Sequence, residues 1–167
     1  MDRKSFARVE CPIARATDEV GDAWSLLILR SAFLGVRSFH AFEERLAAPA
    51  STLTRKLRQL CDRGLLLKVQ YHARPPRDEY VLSEKGRDLL PVLLALAAWG
   101  NRWLAPSGAP LVIVDAATGD AVDPVMCDAR TKRPLVLGEI AIAAGPGASG
   151  ELRGALPRPV VFGAEAR

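Results

Sequence analysis

The stretch Ala50–Gly64, ASTLTRKLRQLCDRG, decides how the rest of the chain is read. Leu53, Leu57, Leu60 and Cys61 recur at i, i+4, i+7 and i+8, the spacing of one buried helical face. The opposite face carries Thr54, Arg55, Lys56, Arg58, Gln59 and Arg63, with Asp62 as its one acid. Ser51 and Thr52 stand ahead of the run, where a hydroxyl can cap a free backbone N–H, and Gly64 follows as a C′ residue would. The opening turns offer hydroxyls and an arginine, groups that bond phosphate oxygens and purine edges. A basic helix face can equally be a solvated surface, so the flanking sequence has to decide between the two.

Upstream, Ser38 is placed to cap a helix over Phe39–Leu46 that turns Phe39, Phe42 and Leu46 inward, and an Ala-Ala-Pro turn joins it to the basic helix. Two short helices joined by a tight turn, the second cationic, form a helix-turn-helix. Before them, Cys11-Pro12 opens a helix to about Val20, with Pro12 suited to its first turn. Gly21-Asp22 interrupts it, and Asp22 can cap Ala23–Phe33, which is apolar nearly all round and belongs at the centre of the core. Met1–Glu10 is charged and expected to be mobile. Downstream of Gly64 the period changes. Leu65–Tyr71 and Asp78–Leu82 read as strands joined through His72–Arg77, a wing whose tip holds Arg74 and Arg77 beside Pro75 and Pro76.

Ser83-Glu84 then caps a long helix to about Trp103 with two apolar stripes. Leu89, Leu93, Leu96, Gly100 and Trp103 form one, and Leu90, Leu94 and Ala97 the other. One stripe closes the core; the second is left for a partner, with Leu90, Leu93, Leu94, Leu96, Ala97 and Trp103 as interface candidates. Pro91 is expected to kink this helix without ending it. A linker at Pro106-Ser107-Gly108 divides the chain into a domain over 1–104 and a small β-rich extension over 105–167. The extension shows short β-type runs at Leu111–Val114, Val125–Cys127, Leu135–Leu137 and Glu139–Ala143. Asp115-Ala116-Ala117-Thr118 recurs thirteen residues on as Asp128-Ala129-Arg130-Thr131, which predicts two hairpins with similar turns. Gly145–Gly150 reads as flexible. The fold class is α+β: a winged helix-turn-helix with a small C-terminal antiparallel β module.

Charge follows this division. Residues 1–104 hold 17 Lys/Arg against 12 Asp/Glu, residues 105–167 hold 6 against 7, and Ser51–Arg77 holds 7 against 1. Basicity concentrated at the helix-turn-helix is the footprint of a nucleic-acid binder. There is no secretion-signal core and no apolar run of about 18 residues for a membrane span, so a cytoplasmic protein with no membrane partner is expected. Three cysteines far apart fit a reducing compartment.

Taken in order, these features closely resemble the HxlR-type winged helix-turn-helix regulators of bacteria. The shared run is Cys11-Pro12, Gly21-Asp22-Ala23-Trp24, Leu34-Gly35, the leucines 53, 57 and 60, and Leu60–Leu65. It continues through Pro75-Pro76 before Glu79-Tyr80, then Ser83-Glu84-Lys85-Gly86 and Trp99-Gly100. The resemblance implies a homodimer joined through its terminal helices and bound to two half-sites of a palindromic operator in double-stranded DNA. Candidate DNA contacts are Arg37, Ser38, Ser51, Thr52, Thr54, Arg55, Lys56, Arg58, Arg74 and Arg77. In some similar regulators a cysteine at the place of Cys11 senses oxidants. At a helix start its thiolate is favoured, while the alternative is a small apolar residue packed against Trp24. The extension resembles a β module of longer members, some of which carry Cys-x-x-Cys knuckles. Here Asp115 and Cys127-Asp128 have no second Cys or His nearby, so no metal is expected.

Catalysis finds no support. GPGASG lacks the Gly-Lys-Ser/Thr of a phosphate loop, and no nucleophile, base and orienting group stand together. His40 and His72 sit on a helix surface and a wing strand, and Asp115, Asp120, Asp123 and Asp128 lack calcium-loop spacing. No enzyme and no cofactor are expected. The reading is a sequence-specific DNA-binding transcriptional regulator. The alternatives are a winged helix that binds protein partners, or a sensor of a small molecule or oxidant acting through Cys11 or the C-terminal module. Arg55, Lys56 and Arg58 on the presented helix favour DNA over protein.

Overall fold

Three side-chain caps set the helical frame of the first half of the chain. The computed structural model describes residues 5–73 and 76–163, and the chain divides into two units, Met1–Gly100 and Asn101–Arg167. The first unit runs α1 (Pro12–Val20), α2 (Ala23–Phe33), α3 (Phe39–Leu46), α4 (Ala50–Asp62), β1 (Leu66–Ala73), β2 (Pro76–Leu82) and α5 (Glu84–Arg87). It then enters α6 (Leu90–Leu104), which crosses the division. Asp22 caps α2 by accepting the Ser25 N–H at 3.1 Å, Ser38 caps α3 through the Ala41 N–H at 3.2 Å, and Ser83 caps α5 through the Gly86 N–H at 3.0 Å. Each supplies an acceptor to a first-turn N–H that has no partner within the helix.

The α4 start corrects the sequence expectation. Pro49, extended at φ −57° and ψ 134°, is the N-cap without a side-chain bond, so Ser51 and Thr52 lie inside the first turn and cap nothing. Its end is as expected. Gly64 takes φ +69°, its N–H bonds the Cys61 carbonyl at 2.9 Å, and the Leu65 N–H bonds the Leu60 carbonyl at 2.9 Å. This Schellman closure turns the chain straight into the wing.

The core gathers Ile28 and Leu29 from α2, Phe42 from α3, Leu53, Leu57 and Leu60 from α4, and Leu65 and Leu66 at the wing entry. Burying each such side chain contributes about 1.5–3 kcal/mol, so the leucine stripe alone fixes which face of α4 points outward. Phe42 meets Tyr80 edge-on, with ring centroids 6.4 Å apart, tying α3 to β2.

β1 and β2 pair antiparallel from Leu66↔Leu82 to Ala73↔Pro76, with an irregularity between Gln70 and His72. The ladder thus runs further than the expected Tyr71 and Asp78 limits, and Pro76 is tolerated as the first residue of its strand. A bridge between Ser38 and Glu79, with the Tyr80 N–H on the Arg37 carbonyl at 2.8 Å, adds the segment before α3 to the wing. At the wing's foot, Ser83 Oγ donates to the Gly64 carbonyl at 2.6 Å. A Cβ on Gly86 would lie 2.2 Å from the Leu65 carbonyl oxygen, so only glycine lets α5 approach this corner.

Two further expectations change. The long terminal helix is two helices, α5 and α6, parted at Asp88-Leu89 rather than kinked at Pro91. Pro91 has no N–H for the preceding turn and disfavours helical geometry at Leu90, so α6 starts afresh with proline in its first turn. Ser5–Val9 is also not loose. Asp18 Oδ2 accepts the Phe6 N–H at 2.6 Å and the Ser5 hydroxyl at 2.8 Å, and the Val9 N–H bonds the Phe6 carbonyl at 2.9 Å.

The second unit contains β3 (Ala141–Ile142) paired antiparallel with β4 (Val160–Val161), and α7 (Gly150–Ala155) between them. The thirteen-residue repeat is structural. Val114↔Ala121 and Cys127↔Pro134 are equivalent bridges, and Asp115 and Asp128 each accept backbone N–H bonds within their own turns. These bonds hold both carboxyl groups below the usual carboxylate range. The four expected strands shrink to these bridges and β3, because the turns leave little length for a ladder. Gly145–Gly150 leads into α7, capped by Ser149 through the Leu152 N–H at 3.1 Å, rather than forming a plain flexible stretch. No described residue from 101 to 163 is buried. Among the described residues no helix is long and apolar enough to cross a membrane.

Candidate nucleic-acid interface

With its leucines turned inward, α4 leaves Ser51, Thr54, Arg55 and Arg58 exposed along one face. Thr52 and Gln59 are half-buried on its flank. Thr54 Oγ1 donates to the Ala50 carbonyl at 2.8 Å, which leaves its lone pairs available outward. Arg58 approaches Asp62 at 3.8 Å, a pair one turn apart with both side chains largely exposed. Such pairs are worth about 0.3–0.5 kcal/mol, too little to stop the guanidinium from swinging to a phosphate.

Lys56 does not belong to this face. It is 8% exposed, and its Nζ lies 2.8 Å from Asp22 Oδ2, so the cation expected at DNA is an internal tie between α4 and the α2 N-cap. Partial burial works against ionisation of Asp22, but the Lys56 ammonium and the Ser25 hydroxyl and N–H outweigh it, and the carboxyl stays below its ordinary range. Lys56 is three residues past Leu53 and four before Leu60, on the edge of the apolar stripe, a spacing that could have marked it as inward. Arg63 is likewise engaged, its Nη1 donating to the Glu19 carbonyl at 2.5 Å.

Around the wing the picture is mixed. Arg37 is 62% exposed at its side chain and lies 3.7 Å from Glu79, at the place where the segment before α3 joins β2. The half-buried Ser38 oxygen accepts the Ala41 N–H to cap α3, a bond that uses a lone pair and not the hydroxyl proton. Arg77 is exposed on β2, and Arg74 lies outside the described residues. Lys68 pairs with Asp78 at 2.8 Å across the ladder, and this bond raises the lysine's pKa. Among the candidate contacts, the outward cations are therefore Arg55 and Arg58 on α4, Arg37 in the segment before α3 and Arg77 on β2.

Of the cysteines, Cys11 is the half-buried N-cap of α1 and makes no side-chain capping bond. The Cys61 thiol is pushed up, first by burial and then by Asp62, against a smaller opposing pull from Lys68, so it favours the unreactive protonated form. Cys127 is exposed in the second unit.

The interface candidates on α6 separate differently from the two expected stripes. Leu93 packs with Leu89 against the core, Leu94 is half-buried, and Leu90, Leu96, Ala97 and Trp103 are exposed. Val92, Trp99 and Leu104 are also exposed, and no residue of α6 is buried. Pro91 resets the helix phase, so positions counted from Ser83 do not carry through to α6.

Comparison with known proteins matches residues 19–108 to the HxlR-like helix-turn-helix family. An uncharacterized HTH-type transcriptional regulator of Mycobacterium tuberculosis is 36% identical over 141 residues, covering 84% of this chain and 89% of its own length. The crystal structure of PA1607, described as a candidate transcription factor, aligns with a TM-score of 0.78 at 31% identity, over 85% of this chain and all of that one. The redox regulator HypR in its reduced form aligns at 0.53 and 31% identity, over 58% of this chain and 99% of its own. The family and its relatives are transcriptional regulators, not enzymes. With more than half of the chain inside the family match and a relative aligned over most of both lengths, this protein belongs to the HxlR-like helix-turn-helix family.

Proposed function

We propose that this regulator acts as a homodimer that reads a palindromic operator, with α4 in the major groove and the wing on the backbone or minor groove. The observation that carries the reading is the exposed face of Ser51, Thr54, Arg55 and Arg58, held outward by a buried leucine stripe and by Lys56 on Asp22. Arg55 in the second turn suits a bidentate purine contact, and the exposed Ser51 hydroxyl suits a phosphate oxygen. Arg77 and Arg74 would add backbone contacts from the wing. A protein-binding winged helix is disfavoured, since the presented face is cationic rather than apolar.

Dimerisation is supported by α6, where Leu96 is 46% and Trp99 is 55% exposed. Contiguous apolar surface of this kind marks an interface, and a twofold dimer would place two recognition helices on half-sites about one helical turn apart. A reader of chromosomal DNA works in the cytoplasm of a bacterium. The test is titration of the purified protein against its own upstream region and an unrelated duplex of equal length at several salt concentrations, with sedimentation in parallel. Tighter binding to the upstream region, steep loss with salt and a dimer at micromolar concentration are expected. Equal binding to both duplexes or a monomer would refute the reading.

A further inference from the structure

The chain leaves α4, forms the wing and comes back to the end of α4. There the start of α5 supplies a donor to each of three successive carbonyls. Lys85 Nζ bonds the Arg63 carbonyl at 2.9 Å, Ser83 Oγ donates to the Gly64 carbonyl at 2.6 Å, and the Ser83 N–H bonds the Leu65 carbonyl at 3.1 Å. Carbonyls at a helix end find no partner inside the helix, and an ammonium there also answers the negative end of the helix dipole. The same Lys85 Nζ lies 2.7 Å from Glu19 Oε2, and Arg63 Nη1 donates to the Glu19 carbonyl, so the last turn of α1 closes the cluster. Gly86 sits so close to the Leu65 carbonyl that a Cβ would meet its oxygen at 2.2 Å. Side-chain and backbone bonds around so close an approach leave α4 and α5 little freedom to move apart.

From this corner α5 leads directly to α6. The break between them at Asp88-Leu89 carries bonds on both sides. The Asp88 N–H bonds the Glu84 carbonyl at 3.1 Å, the Leu89 N–H the Gly86 carbonyl at 3.3 Å, and the Leu93 N–H the Leu89 carbonyl at 3.1 Å. Leu89 and Leu93 also pack against the core. The start of α6 is therefore fixed to α5, and α5 is fixed to the end of α4. Lys85 and Glu19 keep much of their surface in water, with side chains 55% and 39% exposed, so their pair adds little to overall stability. Its effect is geometric, because it joins α1, α4 and α5 at one point.

We infer that α5 is the spacer that sets the separation and angle at which a dimer holds its two recognition helices, with Lys85 as its positioning residue. The inference rests on the reading of α4 as the DNA helix and α6 as the dimer helix. One added base pair moves a half-site by about 3.4 Å and turns it by about 35°, more than a bonded corner can follow. The result is selectivity for half-site separation, a property that no side chain touching DNA supplies. Lys85 acts through the backbone of α4 and needs no contact with DNA.

The probe is the segment of the upstream region that wild type protects from nuclease, used as it stands and with base pairs inserted one at a time at its centre. Wild type, Lys85→Met, Lys85→Arg, Ser83→Ala and Arg55→Ala are titrated on each duplex, with circular dichroism checking the fold and sedimentation the dimer. Wild type should lose about tenfold or more on the first insertion, since a displaced half-site forfeits at least one base contact. Lys85→Met keeps the aliphatic stem and loses both bonds. It should cut that penalty by about threefold or more and leave sequence preference on the unaltered segment unchanged. Losing one positive charge weakens every duplex by the same factor, so the ratio between spacings is free of it. Lys85→Arg keeps donors for both partners and should retain the wild-type penalty, while Ser83→Ala removes another donor of the same corner and should relax spacing as Lys85→Met does. A folded, dimeric Lys85→Met with the wild-type penalty, or a wild type indifferent to spacing, would overturn the inference and leave α4 in place. A monomeric wild type, or an Arg55→Ala that keeps full preference for the segment over an unrelated duplex, would take down the reading of α6 or α4, and the spacer with it.

Discussion

Replacing Lys56 with Met removes the cation that faces Asp22 while keeping most of the aliphatic stem. The Lys56 side chain is 10% exposed and that of Asp22 is 21% exposed, so the orphaned carboxylate would be left largely out of water. Breaking a fully buried pair costs about 3–5 kcal/mol. Asp22 keeps both Ser25 donors and some solvent, so a cost of about 1–2 kcal/mol is expected, at the low end of what an unpaired buried group incurs. For a unit of this size each kcal/mol lowers Tm by roughly 4–8 °C, so thermal melts followed by circular dichroism should show a drop of about 5–15 °C. Adding Asp22→Asn to Lys56→Met should recover part of the loss, which the double-mutant cycle reads as coupling. The pH dependence has a definite sign. Asp22 has a folded pKa below its ordinary value of 3.8, so its contribution is fully present above that value and fades as pH falls through the folded pKa. The gap between wild type and Lys56→Met should therefore be full at pH 7 and shrink below about pH 4. A Lys56→Met protein that melts like wild type at pH 7 but loses DNA binding would return Lys56 to the DNA face and refute its role as an internal tie.

Three further outcomes follow from the same geometry. Replacing Arg74 and Arg77 with Ala should weaken specific and unrelated duplexes alike and flatten the salt slope by up to about two units; an unchanged slope would remove the wing from DNA. Leu96→Glu should leave the fold intact and shift sedimentation to a monomer, because charge buried in an apolar interface is costly. Leu93→Glu should instead unfold the first unit, and a folded Leu93→Glu monomer would reverse the assignment of the two faces. A chain ending at Leu104 should fold and bind DNA with a weaker dimer and a lower Tm. Residues 105–167 alone should show no cooperative melt, since no described residue there is buried and so small a chain is marginal without a core.

The first unit was largely legible because its signals are local. Leu53, Leu57 and Leu60 mark a face by spacing alone, Asp22, Ser38 and Ser83 cap helices within three residues, and Gly64 stops α4 through bonds inside its own last turn. The readings that failed depend on partners distant in sequence or on competition between signals. Lys56 looks like its basic neighbours until Asp22, thirty-four residues earlier, is brought to it by packing. Ser5–Val9 looks like a loose terminus until Asp18 accepts from Ser5 and Phe6. At Asp88-Leu89 the apolar spacing argued for one helix, and the missing N–H of Pro91 outweighed it. In the second unit the repeat was readable from Asp115 and Asp128, but its ladder length was not, since turns fix where strands meet and not how far they pair.

Arg55 offers the most direct test of the proposed reading, because it is exposed on α4 and makes no ion pair among the described residues that would confuse the result. Fluorescence anisotropy would measure wild type and Arg55→Ala on the upstream region and on a scrambled duplex at one fixed salt concentration. A purine contact predicts a loss of about 1–3 kcal/mol on the specific site, or roughly five- to 150-fold, with a much smaller loss on the scrambled duplex. Arg55→Ala binding the specific site as tightly as wild type, or losing equally on both duplexes, would contradict α4 as the helix that reads sequence.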